Sequence, residues 1–189
     1  MKIKIVPTGE LQENCYVLYM EDREDALLID PGDDPDKIKA ALGGRQVAAI
    51  LLTHGHWDHT GAIYAFEGVP IYMHQADAHM LGVTRFTAGS FVRDIHPRPE
   101  PTDFVTDGQI LKLAGITLQV LHTPGHTPGG VSYRTGDDVF TGDTLFDGDY
   151  GRTDLPGGSM EQMRASLRML LSLHGCHAYP GHGSNMRIA

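Results

Sequence analysis

Three histidines and one aspartate stand within six consecutive residues, directly after the apolar run 47–52. They are His54, His56, Asp58 and His59. Six apolar residues between glycines predict a buried strand that ends in a loop, and rigid strand ends are where sites on α/β sheets are commonly built. Neutral imidazoles around a divalent cation avoid the repulsion that crowded imidazolium ions would suffer. The cluster therefore indicates a metal site.

The same layout, a strand followed by a ligand-type side chain, recurs three times further along the chain. His126 lies between two Pro-Gly turns, which fix its position as a preorganised ligand requires. Asp143 follows the apolar run 139–141, and His182 follows a third Pro-Gly turn. This recurrence favours metal binding over the alternative of isolated turn residues.

Asp30 also ends an apolar run, directly before Pro31 and Gly32. A carboxylate in that position is usually a turn former that accepts backbone hydrogen bonds. The alternative is a residue that orients a metal-bound histidine. The bare sequence leaves both interpretations open.

The candidate ligands outnumber the four that one tetrahedral zinc ion uses. They are His54, His56, Asp58, His59, His126, Asp143 and His182. They predict two adjacent divalent metals with a bridging carboxylate and a bridging water, which would lower the pKa of that water and stabilise an oxyanion. Zinc is the expected ion, and iron and manganese are alternatives because the same donors suit all three.

Length, composition and charge restrict the class of protein. The 189 residues predict a single domain, 1–189, and no apolar run approaches the ~20 residues of a membrane span. The net charge of −9 argues against nucleic acid as a partner. Two cysteines and an N-terminus without a signal-peptide pattern predict the cytoplasm. We expect a monomer or weak homo-oligomer.

Apolar periodicity predicts an α/β chain. The N-terminal edge strand is expected to end at Pro7, because proline cannot donate to a ladder. Residues 82–103 predict a loop. The other predicted strands are 15–20, 26–29, 47–52, 69–73, 110–113, 116–121, 130–133 and 139–141, and the predicted helices are 35–42, 60–66, 75–81 and 160–173.

These motifs, spread over nearly the whole chain, resemble the metallo-β-lactamase superfamily and, within it, single-domain proteins similar to glyoxalase II (hydroxyacylglutathione hydrolase). The loop Gly151 to Gly158 resembles the glyoxalase II-like and persulfide dioxygenase branches more than the true β-lactamases. The resemblance implies a four-layer αββα sandwich with a dinuclear site at one edge. By this resemblance, we expect the 189 residues to be a single domain that lacks the C-terminal helical domain, which supplies much of the glutathione contact in longer glyoxalase II.

By matching positions, the resemblance implies that His54, His56 and His126 hold one metal. Asp58, His59 and His182 would hold the other, and Asp143 would bridge them. Asp58 and Asp143 are the residues assigned to catalysis, Asp30 to orienting a ligand, and Tyr150 and Arg152 to substrate contact or to loop structure. The implied activity is hydrolysis of S-lactoylglutathione or a similar small-molecule acyl thioester.

Two other functions remain open at the level of sequence. A persulfide dioxygenase would use one iron on His54, His126 and Asp143, because two histidines and one carboxylate suit non-haem Fe(II) oxygenases. The residue before Gly151 is Tyr150, where the resemblance to that branch leads us to expect cysteine. A non-catalytic, metal-stabilised binding module would be expected to lack one or more ligands, and none is missing.

Overall fold

The computed structural model describes residues 1–81, 96 and 98–189. Within that part of the chain, the strands are β1 Lys2–Thr8, β2 Glu13–Tyr19, β3 Asp25–Ile29, β4 Gln46–Leu51, β5 Ile71–His74, β6 Asp103–Val105, β7 Ile110–Leu113, β8 Ile116–His122, β9 Val131–Thr135, β10 Asp138–Gly142, β11 His177–Pro180 and β12 Met186–Arg187. The helices are α1 Pro35–Leu42, α2 Trp57–Thr60, α3 Ala78–Leu81 and α4 Met160–Leu171. Short 3-10 turns cover Ile63–Ala65 and Gln75–Asp77.

The strands form two six-stranded mixed sheets. One runs in the order β1-β2-β3-β4-β5-β6, antiparallel up to β3 and parallel from β3 to β6. The other runs β12-β11-β10-β9-β8-β7, with its one parallel pair at β10 and β11. Because β3, β4 and β5 are parallel, their carboxyl ends meet at one edge of the first sheet.

Strand β2 shows how the layers are built, because its residues alternate between two hydrophobic clusters. Cys15 and Val17 pack in the cluster that contains Ile38 of α1. Tyr16 and Leu18 point the other way, into the cluster between the two sheets. Period-two alternation with both faces buried places β2 in an internal layer, and each large side chain so buried contributes about 1.5–3 kcal/mol.

Helix α4 covers the outer face of the second sheet. Its Leu170 packs against Val139 of β10 and Ala178 of β11. Ser159 caps the helix by accepting a hydrogen bond from the backbone N–H of Gln162. With α1 outside the first sheet, this arrangement confirms the αββα sandwich.

Several predicted boundaries are wrong. The segment expected as one helix over 75–81 is a 3-10 turn at Gln75–Asp77 followed by α3, and the strand expected over 69–73 is β5, Ile71–His74. Strand β1 continues through Pro7 to Thr8, because β1 is the edge strand of its sheet and the missing N–H interrupts no central ladder. The helix expected over 60–66 begins earlier, at Trp57, and a separate 3-10 turn follows at Ile63–Ala65. Of the loop predicted over 82–103, residues 82–95 and 97 lie outside the part of the chain that the structure describes. No helix among the described residues is long and apolar enough to cross a membrane.

Candidate metal centre

The candidate ligands lie just beyond the carboxyl ends of five strands. Asp30 follows β3, the 54–59 cluster follows β4, His126 follows β8, Asp143 follows β10 and His182 follows β11. A backbone hydrogen bond of 2.8 Å from Val131 N to Thr53 O joins the two sheets at this edge. The strand ends of both sheets therefore bring these side chains into one site.

Three imidazoles, those of His54, His56 and His126, form what we call the first triad. One nitrogen of each lies within 4.8 Å of the corresponding nitrogens of the other two. His56 Nδ1 and His126 Nε2 are 2.8 Å apart. Two ring nitrogens that face each other so closely form a site for a shared proton or a metal ion.

Hydrogen bonds behind the first triad fix which nitrogen faces inward. His126 Nδ1 donates to the backbone carbonyl of Arg152 at 2.7 Å, so Nε2 faces the site. The hydroxyl of Thr53 donates to Asp30 Oδ2 at 2.5 Å and accepts from His54 Nδ1 at 3.0 Å. His54 therefore also presents Nε2, as a metal ligand whose other nitrogen is anchored.

Two histidines of the first triad, His54 and His56, resist protonation. Burial lowers the pKa of His54 well below its usual value, and the neighbouring imidazoles lower it further. Burial and His126 lower the pKa of His56 to about 4. These histidines are therefore neutral at physiological pH, the form that binds metals.

Asp58, His59 and His182 form the second triad. Their ligand atoms also lie within 4.8 Å of one another. Asp58 Oδ2 is 3.3 Å from His182 Nε2 and 3.7 Å from His59 Nε2. The outer nitrogen of His182 bonds to the backbone carbonyl of Leu11 at 3.2 Å, so Nε2 is left for the site.

Asp143 lies between the two triads. Its Oδ2 is 3.4 Å from His126 Nε2 in the first triad, and its Oδ1 is 3.3 Å from His59 Nε2 in the second. Oδ2 is also 3.8 Å from His182 Nε2. One carboxylate thus reaches both sets of donors, as a bridging ligand would.

Charge is distributed differently in the second triad. Burial acts to lower the pKa of His59, but Asp143 and Asp58 outweigh it and hold this pKa well above its usual value. Burial acts to raise the pKa of Asp143, but His59 outweighs it and holds this pKa below its usual range. Burial likewise acts to lower the pKa of His182. The hydrogen bond with Asp58 helps to outweigh this effect, and the pKa of His182 is raised above its usual value.

Asp30 supports the site from behind. Its Oδ1 accepts from the backbone N–H of Thr53 at 2.7 Å, and Oδ2 lies 3.0 Å from His59 Nδ1. Asp30 also stands within ligand distance of His54 and His59, but both of its oxygens already accept hydrogen bonds. Its backbone φ of 49° lies in the left-handed region, which aspartate adopts more readily than most residues. Asp30 therefore contacts the histidine that it was expected to orient, and it also ends its strand.

Unpartnered buried atoms show that the site fits metal ions. Among the described residues, His54 Nε2, His59 Nε2 and Asp143 Oδ1 are fully buried without a hydrogen-bond partner. An unpartnered buried polar atom is costly, and these three are nitrogen and oxygen donors that face one another. Divalent cations would satisfy all of them.

Tyr150 and Arg152 border the site through a loop. Arg152 contributes its backbone carbonyl to His126, while its guanidinium pairs with Asp154 at 2.7 and 2.8 Å. The Tyr150 side chain is 41% exposed and lines a cavity of about 360 Å³ with Phe146. Arg152 thus has a structural role in the loop, and the substrate contacts of both residues stay a prediction.

Sequence reasoning missed Glu13 and Thr53. Glu13 is fully buried, and its Oε1 lies 3.8 Å from His59 Nδ1. Burial raises the pKa of Glu13 well above its usual value, although the charge of His59 acts against this. The available signal was an acidic residue directly before the apolar segment of β2. Thr53 carried no signal of its own, because its role depends on Asp30, 23 residues earlier.

Comparison with known proteins agrees with this site. A family model described as the metallo-beta-lactamase superfamily matches residues 8–182, so the chain belongs to that superfamily. The hydroxyacylglutathione hydrolase GloC of Haemophilus influenzae is 35% identical over 199 residues, which cover 100% of this chain and 93% of GloC.

Three solved structures share the fold over nearly the whole chain. BLEG-1 B3 metallo-beta-lactamase is 35% identical with a TM-score of 0.91 and covers 99% of this chain and 94% of its own. The di-iron-bound form of TTHA1623 is 38% identical with a TM-score of 0.88, and the match covers 98% of this chain and 94% of TTHA1623. ETHE1 from Myxococcus xanthus is 27% identical with a TM-score of 0.79, and the match covers 100% of this chain and 80% of ETHE1.

The family and the donor clusters together define the class of protein. The chain is a metal-dependent hydrolase of the metallo-β-lactamase superfamily, a family that binds divalent metals. The resemblance inferred from the sequence motifs is thereby confirmed. The metal and the substrate are matters for the proposal that follows.

Proposed function

We propose that this protein is a dinuclear metallohydrolase that cleaves acyl thioesters of the hydroxyacylglutathione class, such as S-lactoylglutathione. The observation that carries the proposal is the arrangement of two triads around one shared carboxylate, Asp143. The similarity to GloC over the whole chain supports the substrate class. The di-iron form of TTHA1623 supports two metals.

The first triad and Asp143 would hold one metal, and the second triad and Asp143 the other. Bound divalent metals supply Lewis acidity and water activated near neutral pH. The ligands that hold them are anchored in turn by Asp30, Thr53 and the carbonyl of Arg152. This anchoring reduces the reorganisation that the site needs when charge develops on the substrate.

Asp58 is the residue that we assign to proton transfer. Burial acts to raise its pKa, but His59 outweighs this effect and the pKa lies below its usual value, so the carboxylate is ionised at neutral pH. It can take the proton of the attacking water as oxygen bonds to the acyl carbon. The carbon–sulfur bond then breaks and its electron pair leaves with sulfur as a thiolate. A thiol pKa of ~8.5 makes this departure possible without a general acid.

A substrate panel tests the proposal. The purified protein, loaded in turn with zinc, iron and manganese, is assayed for thiol release from S-lactoylglutathione and from an acyl thioester without glutathione. A β-lactam belongs in the panel because BLEG-1 is a B3 metallo-beta-lactamase at 35% identity. Faster turnover of S-lactoylglutathione than of the other substrates would support the proposal, and turnover of the β-lactam alone would refute it.

The dioxygenase alternative makes a different prediction with the same protein. It requires one iron per chain and oxygen uptake with a persulfide substrate, and the similarity to ETHE1 is a reason to test it. The dinuclear proposal predicts two metals per chain and no oxygen uptake. Measuring oxygen consumption beside thiol release separates the two functions.

A further inference from the structure

A buried aspartate outside both triads joins the loops that carry the first one. Asp77 ends the 3-10 turn after β5 and is 0% exposed. Its Oδ2 accepts from the hydroxyl of Thr127 at 2.6 Å, and its Oδ1 accepts from the backbone N–H of Gly129 at 2.7 Å. Both donors lie within three residues of His126. The carboxylate therefore fixes the loop that presents this ligand.

The other ligand loop packs against the same residue. Gly55, between His54 and His56, directs its backbone N–H to the Asp77 carboxylate, where it acts to lower the pKa of this buried group. A Cβ on Gly55 would lie 3.0 Å from the Asp77 carbonyl oxygen and 2.7 Å from Met80 Cβ. The loop can approach this closely only because residue 55 has no side chain.

Gly129 shows the same close approach from the opposite side. A Cβ there would lie 2.6 Å from Asp77 Cγ and 2.8 Å from its backbone nitrogen. Asp77 is thus enclosed by a glycine from each ligand loop. The bond from Val131 N to Thr53 O joins the loops at their bases, so Asp77 is the connection nearer their tips.

We propose that Asp77 is a positioning residue that sets the spacing between His126 and the His54–His56 pair, and hence the affinity of the first triad for its metal. The proposal rests on the dinuclear assignment made under Proposed function. Asp77 touches no ligand nitrogen, so its influence acts through backbone and hydroxyl donors. Loss of such supporting hydrogen bonds typically weakens metal affinity about 10–100-fold.

Asp77→Ala, Asp77→Asn and Thr127→Val form a graded series. The alanine variant removes both acceptors. The asparagine variant keeps an acceptor for Gly129, and its amide can donate to the Thr127 hydroxyl, so it should be milder. Thr127→Val removes one bond and leaves Asp77 in place, which keeps the test available if Asp77→Ala does not fold. Ile38→Ala opens a cavity under α1, which carries none of the candidate ligands, and is the control for a general loss of stability.

The test measures zinc bound per chain at a series of buffered zinc concentrations, for the wild type and each metal-loaded variant. We expect about a 10–100-fold weaker first-triad affinity in Asp77→Ala, a smaller loss in Asp77→Asn and Thr127→Val, and wild-type affinity in Ile38→Ala. Asp77→Ala added to His56→Ala should remove no further metal, because both act on one site. Added to His182→Ala, it should weaken the remaining metal.

A merely structural Asp77 would give a different pattern. Asp77→Ala would then lower the melting temperature as Ile38→Ala does while it bound both zinc ions with wild-type affinity, and that result would overturn the proposal. Failure of the proposed function shows separately, in the wild type alone, as absent thioesterase activity or fewer than two metals. The affinity of the first triad can be compared among variants in either case.

Discussion

The two triads share one site and one carboxylate, yet they balance charge in opposite ways. The first consists of imidazoles alone, and burial keeps those of His54 and His56 neutral. The second contains Asp58, and buried carboxylates hold its histidines toward the protonated form. The comparison teaches that the same ligand type takes opposite protonation states in the metal-free protein, neutral where desolvation dominates and protonated where acidic neighbours dominate.

The difference arises chiefly from Asp143 and Asp58, whose carboxylates face His59, and the hydrogen bond with Asp30 adds to it. Neutral groups, the Thr53 hydroxyl and the Arg152 carbonyl, anchor the first. Two buried acids, Asp30 and Glu13, lie 3.0 and 3.8 Å from His59 in the second. We therefore expect substitutions to separate the triads, except at the residue that they share.

Asp143→Ala should have the largest effect, because it removes the carboxylate that reaches both triads. We expect kcat/KM for thioester hydrolysis to fall about 10⁴-fold or more, as several kcal/mol of transition-state stabilisation are lost. Metal content should fall in both sites. Thiol release and elemental analysis measure this, and retention of two metals with normal turnover would show that Asp143 is not shared.

His56→Ala should abolish hydrolysis while the fold stays largely intact. We expect a loss of about 10³-fold, because the first triad keeps only two imidazoles. His177→Ala is the matched control, since its side chain is 52% exposed and pairs with Asp138 rather than with either triad. Unchanged turnover with full metal loading in His56→Ala would contradict the dinuclear assignment.

Asp30→Asn should weaken metal binding about 10–100-fold, mainly at His59. Asparagine tolerates the left-handed backbone at this position, so the substitution tests the charge rather than the turn. Asp34→Asn is a close control, because Asp34 has the same φ of 49° but lies at the start of α1. Equal effects of the two substitutions would indicate that Asp30 acts only as a turn residue.

The smallest expected effect is a divergence in histidine titration in the metal-free protein. His56, with a pKa near 4, should stay neutral at pH 5–6. Because the pKa of His56 is lower in the folded chain than in the unfolded chain, the unfolded chain binds more protons below pH ~6.5. The contribution of neutral His56 to stability is therefore lost as the pH falls from ~6.5 toward the folded pKa of about 4. His59 has the opposite sign, because its raised pKa gives stability that is present below pH ~6.5 and is lost as pH rises through the folded pKa.

Histidine resonances followed by NMR across this range measure the divergence. Chemical shifts of His56 that remain those of a neutral ring while His59 remains protonated would support the comparison. Titration of both near pH 6.5 would remove the distinction between the triads.

Much of the site was predictable because its residues leave local signals. His54, His56, Asp58 and His59 are crowded together, and Asp143 and His182 each follow a buried strand. The αββα sandwich itself was expected from the family resemblance, but strands such as β2 also leave local signals in their apolar segments. These features depend on neighbours in sequence, which is why periodicity and spacing detect them.

The remaining features depend on contacts between distant residues. His56 and His126 face each other across 70 positions, and Asp77 reaches Gly129 across 52. No local pattern indicates that an aspartate after a short strand joins two loops, or that Thr53 relays between Asp30 and His54. Pro7 was misjudged for a different reason: the strand was expected at an edge, but proline was taken to end it, although a missing N–H at an edge strand interrupts no central ladder.

The most direct test of the central claim is the metal content of the wild-type chain purified without chelators, with zinc, iron and manganese all supplied. Two triads that share Asp143 predict about two metals per chain, and about one in His56→Ala. One iron per chain in both proteins, with oxygen uptake in place of thioester hydrolysis, would contradict the account.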